Sequence, residues 1–262
     1  MSNDNVLITQ SNLDERVKKS RVPAKLDLYQ SLTGLFLGLF MWGHMFFVAS
    51  ILLGKDAMWH ITKFFEGYHI LGKAYPGLVS IIAAFVLFIF IVHAMLAVRK
   101  FPINYKQYKI YRAHMKGMKH EDTTLWMWQV WTGFALFFLA SAHLYQMLVF
   151  PEQIGPSGSG ARMWSHGLWP YYLVMLLAVE FHGTIGLYRL AVKWCIPSTV
   201  SRKTLKTIKW AITGFFLIVG FATLVAYMVV GFQFRDMPKN YEYAPQGHQT
   251  SHTAMIMEVN NI

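Results

Sequence analysis

The stretch SLTGLFLGLFMWGHMFFVASILL, residues 31–53, decides the fold of this chain. It contains no Asp, Glu, Lys or Arg, and it is longer than the roughly 20 residues that a helix needs to cross a bilayer. Within lipid, every backbone polar group must find its partner inside the segment, which a helix achieves. The stretch therefore predicts a transmembrane helix that carries one ionisable side chain, His44, well inside it.

Four more apolar runs of similar length follow. They cover residues 77–98, 125–150, 168–192 and 210–232. None shows the alternation of polar and apolar residues that is typical of membrane barrel strands. The sequence therefore predicts an all-α protein: five spanning helices, residues 31–232, in a single membrane domain, residues 1–262. A polar N-terminal segment (1–28) and a polar C-terminal tail (233–262) flank the bundle, and we expect the tail to be weakly ordered from residue 235.

The composition supports a membrane protein rather than a soluble enzyme. Hydrophobic residues make up 55% of the chain and charged residues 14%, whereas average proteins carry about 25% charged residues. The net charge of +11 would suit nucleic acid, but the basic residues lie in short connections between apolar runs, so we expect no nucleic-acid partner. The single cysteine, Cys195, excludes a disulfide framework within the chain.

The positions of the basic residues predict the orientation of the helices. Five Lys or Arg lie in the N-terminal segment, seven in the second connection with its flanks, and six in the fourth, which is 18 of the 24 in the chain. Connections rich in Lys and Arg stay on the cytoplasmic side. We therefore expect the N-terminus and the even-numbered connections to be cytoplasmic and the C-terminus to be outside.

The first four apolar runs each contain one histidine, and the other seven histidines lie outside these runs. The four are His44, His93, His143 and His182. At 1.5 Å per residue, His44 lies roughly 13 Å and His143 about 10 Å from the predicted outer ends of their helices. His93 lies about 8 Å and His182 roughly 10 to 16 Å from the inner ends. The topology thus pairs His44 with His143 in the outer half and His93 with His182 towards the inner half.

Two histidine pairs at two depths are what two b-type haems in a membrane bundle require, because imidazole is a standard axial ligand of haem iron. The chain lacks the cysteine pair that would attach haem covalently. Two alternatives remain open from the residues alone. Each histidine could be a polar group bonded to a neighbouring helix, or the protein could be a transporter that binds ions or relays protons. The two depths and the few Pro or Gly interruptions argue against the transporter.

Two acids and several cations are further candidates. Glu180 lies inside the fourth run, where a charged acid costs about 2.5 to 3.5 kcal/mol, which favours a proton relay over an acid bonded to a neighbouring helix. Glu66, in KFFEGYH, could act as a general base for a quinol hydroxyl, but the residues alone favour an ordinary solvated loop glutamate. Arg189 and Lys193 project close to the face of His182. They could bind haem propionates or extend to lipid headgroups, and Gln30 and Arg162 could also reach propionates.

Several stretches together resemble a known family. They are AKLDLYQSLTGLFLGLFMWGHMFFVASILLG, HAMLAVRKFPINYKQY, DTTLWMWQ, TGFALFFLASAHLY and AVEFHGTIGLYRLAVKW. The combination resembles the dihaem cytochrome b membrane subunit of quinol:fumarate reductases, the one-subunit, five-helix, two-haem type within the succinate dehydrogenase/fumarate reductase superfamily. RKFPINY and VEFHGTIGLYRLAVKW are the most specific matches. The resemblance covers most of residues 20–195.

The resemblance implies a role for each matching position. His44 and His143 would ligate the outer haem iron, and His93 and His182 the inner one. Glu66 would act in quinol oxidation and Glu180 in a transmembrane proton pathway. The remaining cofactor-binding matches are Gln30, Ser31, Trp126 and Lys193 for the inner propionates, and Arg162 near the outer haem.

The resemblance also implies the reaction and the partners. The chain would be the anchor and electron-transfer subunit of a multi-pass complex in the bacterial cytoplasmic (inner) membrane, active in anaerobic respiration. It would oxidise menaquinol and pass electrons through two haem b groups to an iron–sulfur subunit and a flavoprotein subunit on the cytoplasmic side, where fumarate is reduced to succinate. The family allows a dimer of heterotrimers. The alternative is an anchor of a succinate dehydrogenase or of another dihaem cytochrome b complex.

Overall fold

Long helices dominate the computed structural model, which describes residues 21–118, 121–195, 197–238 and 241–248. In chain order the helices are α1 (Val22–Ala49), α2 (Lys55–Phe65), α3 (Tyr68–Leu71), α4 (Gly77–Val98), α5 (Tyr105–Met118), α6 (Glu121–Val149), α7 (Pro156–Met163), α8 (Trp169–Lys193) and α9 (Arg202–Gln233). Among these described residues, five helices are long and apolar enough to cross a membrane, namely α1, α4, α6, α8 and α9. The predicted all-α fold with five spanning helices is confirmed.

The outer surface of the bundle is apolar. Ile81, Phe88 and Ile218 are 67, 63 and 72% exposed, respectively. A soluble protein rarely leaves such side chains in contiguous exposed patches, whereas lipid accepts them without cost. The chain is therefore a multi-pass membrane protein.

Four of the spanning helices enclose a central space. Helix α1 packs against α4 and α8, and α6 completes the ring by packing against α4 and α8. Helix α9, the one spanning helix without a predicted histidine ligand, packs on the outside against α8 and α1. The four histidine-bearing runs are thus the four helices around the central space.

The two ends of the bundle are chemically different. One end carries α2, α3 and α7 and is called here the Glu66 end; at the other, the Asp27 end, α1 and α6 begin. At the Glu66 end, α7 lies so close to α9 that a Cβ added to Gly231 would meet the carbonyl oxygen of Gly160 at 2.1 Å. This close approach holds α7, and with it Arg162, against the bundle.

The described part of the C-terminal tail packs against the Glu66 end. The aromatic rings of Phe234 and Tyr241 are each 9% exposed and join a core that includes Met58 and Met163. The tail was predicted to be weakly ordered from residue 235, and for residues 235–238 and 241–248 this prediction was wrong. Polar composition suggested a solvated segment, but aromatic side chains spaced along it bury themselves against α2 and α7.

Candidate cofactor sites inside the bundle

A cavity of about 1230 Å³ lies between α1, α4, α6 and α8. Pockets for a single small molecule are typically about 300–1,000 Å³, so this space is large enough for more than one such ligand. The predicted site residues that line it are His44, His93, His143, His182, Gln30, Ser31, Trp126, Arg162 and Lys193. Glu66 and Glu180 are not among its lining residues.

The four histidines form two pairs inside the cavity. The ring centres of His44 and His143 lie 6.1 Å apart, with the ring planes 80° to each other. Those of His93 and His182 lie 6.4 Å apart, with the planes at 89°. These are the same two pairs that were predicted from the depth of each histidine in the membrane.

The spacing within each pair suits a metal ion between the rings. A metal–imidazole bond is about 2 Å long and the ring centre lies about 1 Å beyond the nitrogen, so two imidazoles on opposite sides of one ion have centres about 6 Å apart. No group of three or more His, Cys, Asp or Glu able to hold a metal ion occurs in the described part of the chain. The donor set at each position is therefore two imidazoles, which is the donor set of a six-coordinate haem iron.

The two pairs lie at different levels of the bundle. Gly34 faces His93 and precedes His44 by ten residues on α1, from 34 to 44. Gly133 faces His182 and precedes His143 by ten residues on α6, from 133 to 143. Ten residues of helix span about 15 Å, which is half of a hydrocarbon core about 30 Å thick.

A Thr-Gly dipeptide on α1 supports His93. The Thr33 hydroxyl lies 2.8 Å from the carbonyl oxygen of Tyr29, to which it donates, and 3.1 Å from His93 Nδ1. Because its one hydrogen goes to that carbonyl, the hydroxyl accepts from His93 Nδ1–H, which leaves Nε2 with a free lone pair. A Cβ at Gly34 would lie 2.9 Å from His93 Cε1, so glycine makes room for the ring.

The same dipeptide recurs on α6 beside His182. His182 Nδ1 lies 3.0 Å from the carbonyl oxygen of Gln129 and 3.5 Å from the Thr132 hydroxyl. A carbonyl accepts only, so Nδ1 carries the proton and Nε2 again presents a lone pair. A Cβ at Gly133 would lie 2.8 Å from His182 Cε1. In both histidines of this pair the same arrangement therefore leaves Nε2 free to bind a metal ion.

The pair nearer the Glu66 end has a different environment. The hydroxyl of Tyr172 lies 3.4 Å from His143 Nδ1 and 3.2 Å from Gln146 Oε1. The ring centres of His44 and Phe40 lie 6.0 Å apart. Hydrogen-bonding support at this pair therefore comes from tyrosine rather than from a Thr-Gly dipeptide.

Polar groups at the Asp27 end could hold an anionic ligand. Gln30 Oε1 is buried without a hydrogen-bond partner among the described residues. Lys193 lies 3.1 Å from Asp27, whose carboxylate also binds Arg99 at 2.7 Å and Lys100 at 3.0 Å. Three cations share one carboxylate, so positive charge remains at this mouth of the cavity for a second anion.

Two more predicted residues line the same end. The hydroxyl of Ser31 donates to the carbonyl of Asp27 at 2.8 Å and can still accept a hydrogen bond. The ring centre of the Trp126 indole lies 5.3 Å from that of Tyr111 on α5. Arg189, left open between two roles, is bound to Gln129 Oε1 at 2.5 Å, so it points into the bundle rather than towards headgroups.

Arg162 supplies a buried cation at the Glu66 end. Its side chain is 5% exposed and donates to the carbonyl of Gln153 at 2.7 Å and to the Ser159 hydroxyl at 2.9 Å. Its Nε has no partner among the described residues. Burial lowers the pKa of the guanidinium from its very high ordinary value, but such a group stays charged. A buried cation that lines the cavity is a suitable partner for an anionic substituent of a ligand.

Glu66 is a buried residue at the end of α2, not a solvated loop glutamate. Its side chain is 2% exposed and its Oε2 accepts from Lys63 Nζ at 2.7 Å. Burial raises the pKa of Glu66, the bond to Lys63 lowers it, and the net direction is upward. Its neighbours Thr62 and Phe65 line the cavity. A carboxylate held in this way beside the cavity can exchange a proton with a ligand near His44 and His143.

Glu180 is fully buried between α8 and α9. Both of its carboxyl oxygens lack a hydrogen-bond partner among the described residues, so bonding to a neighbouring helix does not explain it. Along the same seam, the hydroxyl of Thr213 donates to that of Thr184 at 2.9 Å. Further towards the Asp27 end, buried Lys209 lies 3.4 Å from the centre of the Trp210 ring. Buried polar groups thus continue from Glu180 along the seam.

Sequence reasoning missed several residues that this geometry makes important. They are Thr33, Gly34, Thr132, Gly133, Lys63, Glu242 and Lys209. The Thr-Gly dipeptide, which occurs ten residues before each of two histidines, was a signal that could have identified four of them. Lys63 and Glu242 are 179 residues apart, and no local pattern links them.

The fold and the paired histidines define a membrane-embedded helical bundle of the kind that carries electrons. Residues 104–223 match the family model described as the succinate dehydrogenase/fumarate reductase transmembrane subunit. The chain is 50% identical over 248 residues to the fumarate reductase cytochrome b subunit of Wolinella succinogenes, covering 93% of this chain and 96% of that protein. It is 52% identical over 220 residues to the protein of the same name from Helicobacter pylori strain J99, with coverages of 84 and 86%.

The chain therefore belongs to the family of fumarate reductase cytochrome b subunits. The predicted family membership is confirmed. The cytochrome b description agrees with a haem-binding, transmembrane subunit of an electron-transport complex.

Proposed function

We propose that this chain is the membrane anchor and electron-transfer subunit of a quinol:fumarate reductase, and that it binds two haem b groups as one membrane domain. His44 and His143 would hold one iron, and His93 and His182 the other. The observation that carries the proposal is the pair of two-histidine donor sets, with ring centres 6.1 and 6.4 Å apart, that face one cavity at two levels. When bound, the two haems supply one-electron transfer between the ends of the bundle.

The residues at each end would hold the haem propionates. At the Asp27 end these are Gln30, Ser31, Trp126 and Lys193, and at the Glu66 end Arg162. The buried, unpartnered Gln30 Oε1 and Arg162 Nε support this assignment, because a buried polar atom without a partner costs free energy that a bound ligand can recover. The excess of cations around Asp27 supplies the charge that carboxylates need.

The Glu66 end would oxidise the quinol. Menaquinol would bind there and lose two electrons and two protons, and Glu66 would accept a proton from a quinol hydroxyl. By the positive-inside rule this end would lie outside the cytoplasm, and the protons would be released there. The electrons would leave at the Asp27 end for an iron–sulfur subunit and then a flavoprotein subunit, which reduces fumarate to succinate in the bacterial cytoplasm.

The basic Asp27 end would also be the docking face for those partners. Arg99 and Lys100 lie at this end and α5 adds more cations, so the surface suits both anionic lipid headgroups and an acidic protein face. The carboxylate of Asp27 neutralises only part of this charge.

The reaction is tested with the complex purified from membranes through a tag on this chain. We expect a flavoprotein and an iron–sulfur subunit to co-purify, and a menaquinol analogue to drive fumarate reduction faster than succinate drives quinone reduction. A complex that oxidises succinate well but reduces fumarate poorly would favour the alternative, an anchor of succinate dehydrogenase. Purification of the chain without redox partners would contradict the proposal.

Glu180 would relay protons across the membrane to balance the inward flow of electrons. Replacing Glu180 with Gln removes the ionisable proton but keeps the volume. We expect quinol-driven fumarate reduction to fall by about a hundredfold or more, the typical worth of a positioned acid or base. Fumarate reduction driven by a dye that reduces the partner subunits directly should be unchanged. Glu180→Asp should restore part of the rate, and a Gln variant with full quinol-driven turnover would exclude the relay.

Gly133 should be essential for the pair nearer the Asp27 end. A Cβ here would approach His182 Cε1 to 2.8 Å, closer than side chains pack, while the bond to Gln129 prevents the ring from turning away. We expect Gly133→Ala to lower the haem content of the purified complex from two towards one per chain, measured by haem extraction. Gly214→Ala, at a position with open space on α9, is the matched control. Equal haem in both variants would contradict this role.

A further inference from the structure

The C-terminal tail places a second carboxylate at the Glu66 site. Lys63 Nζ lies 2.7 Å from Glu66 Oε2 and 2.7 Å from Glu242 Oε1, so one ammonium bridges the two acids. Glu66 is 2% exposed, Lys63 11% and Glu242 59%. The charge on Lys63 is therefore shared between a buried acid inside the bundle and an acid at its surface.

The residues on both sides of Glu242 hold it in this position. Tyr241 is buried in the core of the Glu66 end. The backbone N–H of Tyr243 donates to the Ser157 hydroxyl at 3.1 Å, and the Tyr243 hydroxyl donates to Asp56 on α2. With its two neighbours anchored on α2 and α7, Glu242 is directed to Lys63 by the fold rather than by chance contact of two long side chains.

Lys63 and Glu242 shift the pKa of Glu66 in opposite directions. Burial raises the pKa of Glu66, the hydrogen bond and charge of Lys63 lower it, and the charge of Glu242 raises it. Burial lowers the pKa of Lys63, but the hydrogen bonds to Glu242 and Glu66 outweigh this effect and raise it, so Lys63 is a cation.

Other charged or titratable groups at this end face different partners. His69 Nε2 lies 3.3 Å from the carbonyl oxygen of His60, Asp56 binds Tyr243, and Arg162 binds Gln153 and Ser159. Lys63 on α2 and Glu242 on the tail are therefore the groups that set the charge balance at Glu66.

We propose that Lys63 and Glu242 are positioning residues for quinol oxidation, with Glu242 limiting how strongly Lys63 pairs with Glu66. The inference rests on the proposed role of Glu66 as the base that accepts the quinol proton. A base must be ionised before it reacts and must still be able to take up a proton. Lys63 favours the ionised form of Glu66. Glu242 accepts from the same ammonium, which weakens the Lys63–Glu66 pair and lets Glu66 take up a proton.

The test is the pH profile of quinol oxidation by the purified complex, in which the acid limb reports protonation of Glu66. Lys63→Met removes the cation, so its acid limb should move to higher pH, with turnover at acid pH about tenfold below that of the unaltered complex. Glu242→Gln removes an anion, so its limb should move to lower pH, with turnover at the same acid pH about twofold higher. A purely structural role for these residues would not produce shifts of opposite sign.

Three further variants make the outcome decisive. Asp236→Asn removes an exposed tail acid that pairs with its neighbour Arg235, and it should leave the profile unchanged. Lys63→Arg keeps the charge and should restore the profile lost in Lys63→Met. If Glu66→Gln abolishes quinol oxidation while the Lys63 and Glu242 variants show no shift, or shifts of the same sign, the inference is overturned and the role of Glu66 stands. If Glu66→Gln retains full quinol oxidation, the proposed role of Glu66 fails and the inference fails with it.

Discussion

Replacing His143 with alanine should remove one haem from the bundle and reduce quinol-driven fumarate reduction by about a hundredfold or more. Loss of groups that merely orient a metal ligand already costs about 10–100-fold in affinity or activity, and loss of a ligand should cost more. His143 is half of one donor pair, its ring centre 6.1 Å from that of His44, so its loss leaves this pair with a single imidazole. Haem per chain and quinol-driven turnover of the purified complex are the two measurements.

The matched control for this variant is His166→Ala. His166 follows α7 at the same end of the bundle, but it is exposed and does not line the cavity. Haem content and turnover should stay at their original values. A His143→Ala complex that kept two haems would show that this histidine is not a ligand and would exclude the pairing with His44.

Replacing Glu66 with glutamine should abolish quinol oxidation while both haems remain bound. Glutamine keeps the shape of the side chain and one oxygen that can accept from Lys63, but it cannot take up the proton of a quinol hydroxyl. We expect a loss of about 10²- to 10⁴-fold in quinol-driven turnover, the usual contribution of a general base. Dye-driven fumarate reduction by the same complex should be unaffected, because it bypasses this chain.

Glu152→Gln provides the comparison for the Glu66 variant. Glu152 is a glutamate at the same end of the bundle, but it is exposed. Its replacement should leave turnover unchanged, which separates the effect of a buried base from that of a lost surface charge. Wild-type quinol oxidation by Glu66→Gln, at equal haem content, would exclude the catalytic role.

Hydrophobic runs and the spacing of histidines predicted the framework of this protein well. The five spanning helices follow from run length, because lipid imposes helices on long apolar segments. Helix α9 nevertheless begins at Arg202, eight residues before the apolar run starts at residue 210. The amide of Thr204 bonds to the Ser201 hydroxyl at 3.1 Å and starts the helix in the polar connection, which run length cannot reveal.

The partners of the histidines were predictable only in part. Helix direction alone paired His93 with His182, since both lie towards the same end of the bundle. The groups that orient these rings, Thr33 and Gln129, come from other helices and act through a hydroxyl and a backbone carbonyl. Backbone acceptors carry no sequence signal, so such support becomes visible only once the helices are packed.

The Glu66 site shows the limit of sequence reasoning most clearly. A charged residue in a short connection is usually solvated, and no local pattern predicts that Glu66 is only 2% exposed. Its burial depends on the tail, where Tyr241 and Tyr243 bring Glu242 back to Lys63. Contacts between residues so far apart in the chain follow from tertiary packing and not from local pattern.

The haem content of the purified complex tests whether the four histidines hold two haem b groups. A reduced-minus-oxidised visible spectrum, combined with haem extraction and protein quantification, gives the type and the number of haems per chain. The proposed function predicts b-type bands, two non-covalent haems per chain, and one haem in a variant that lacks either His44 or His143. A preparation without haem bands, or with two haems that persist in that variant, would contradict the account.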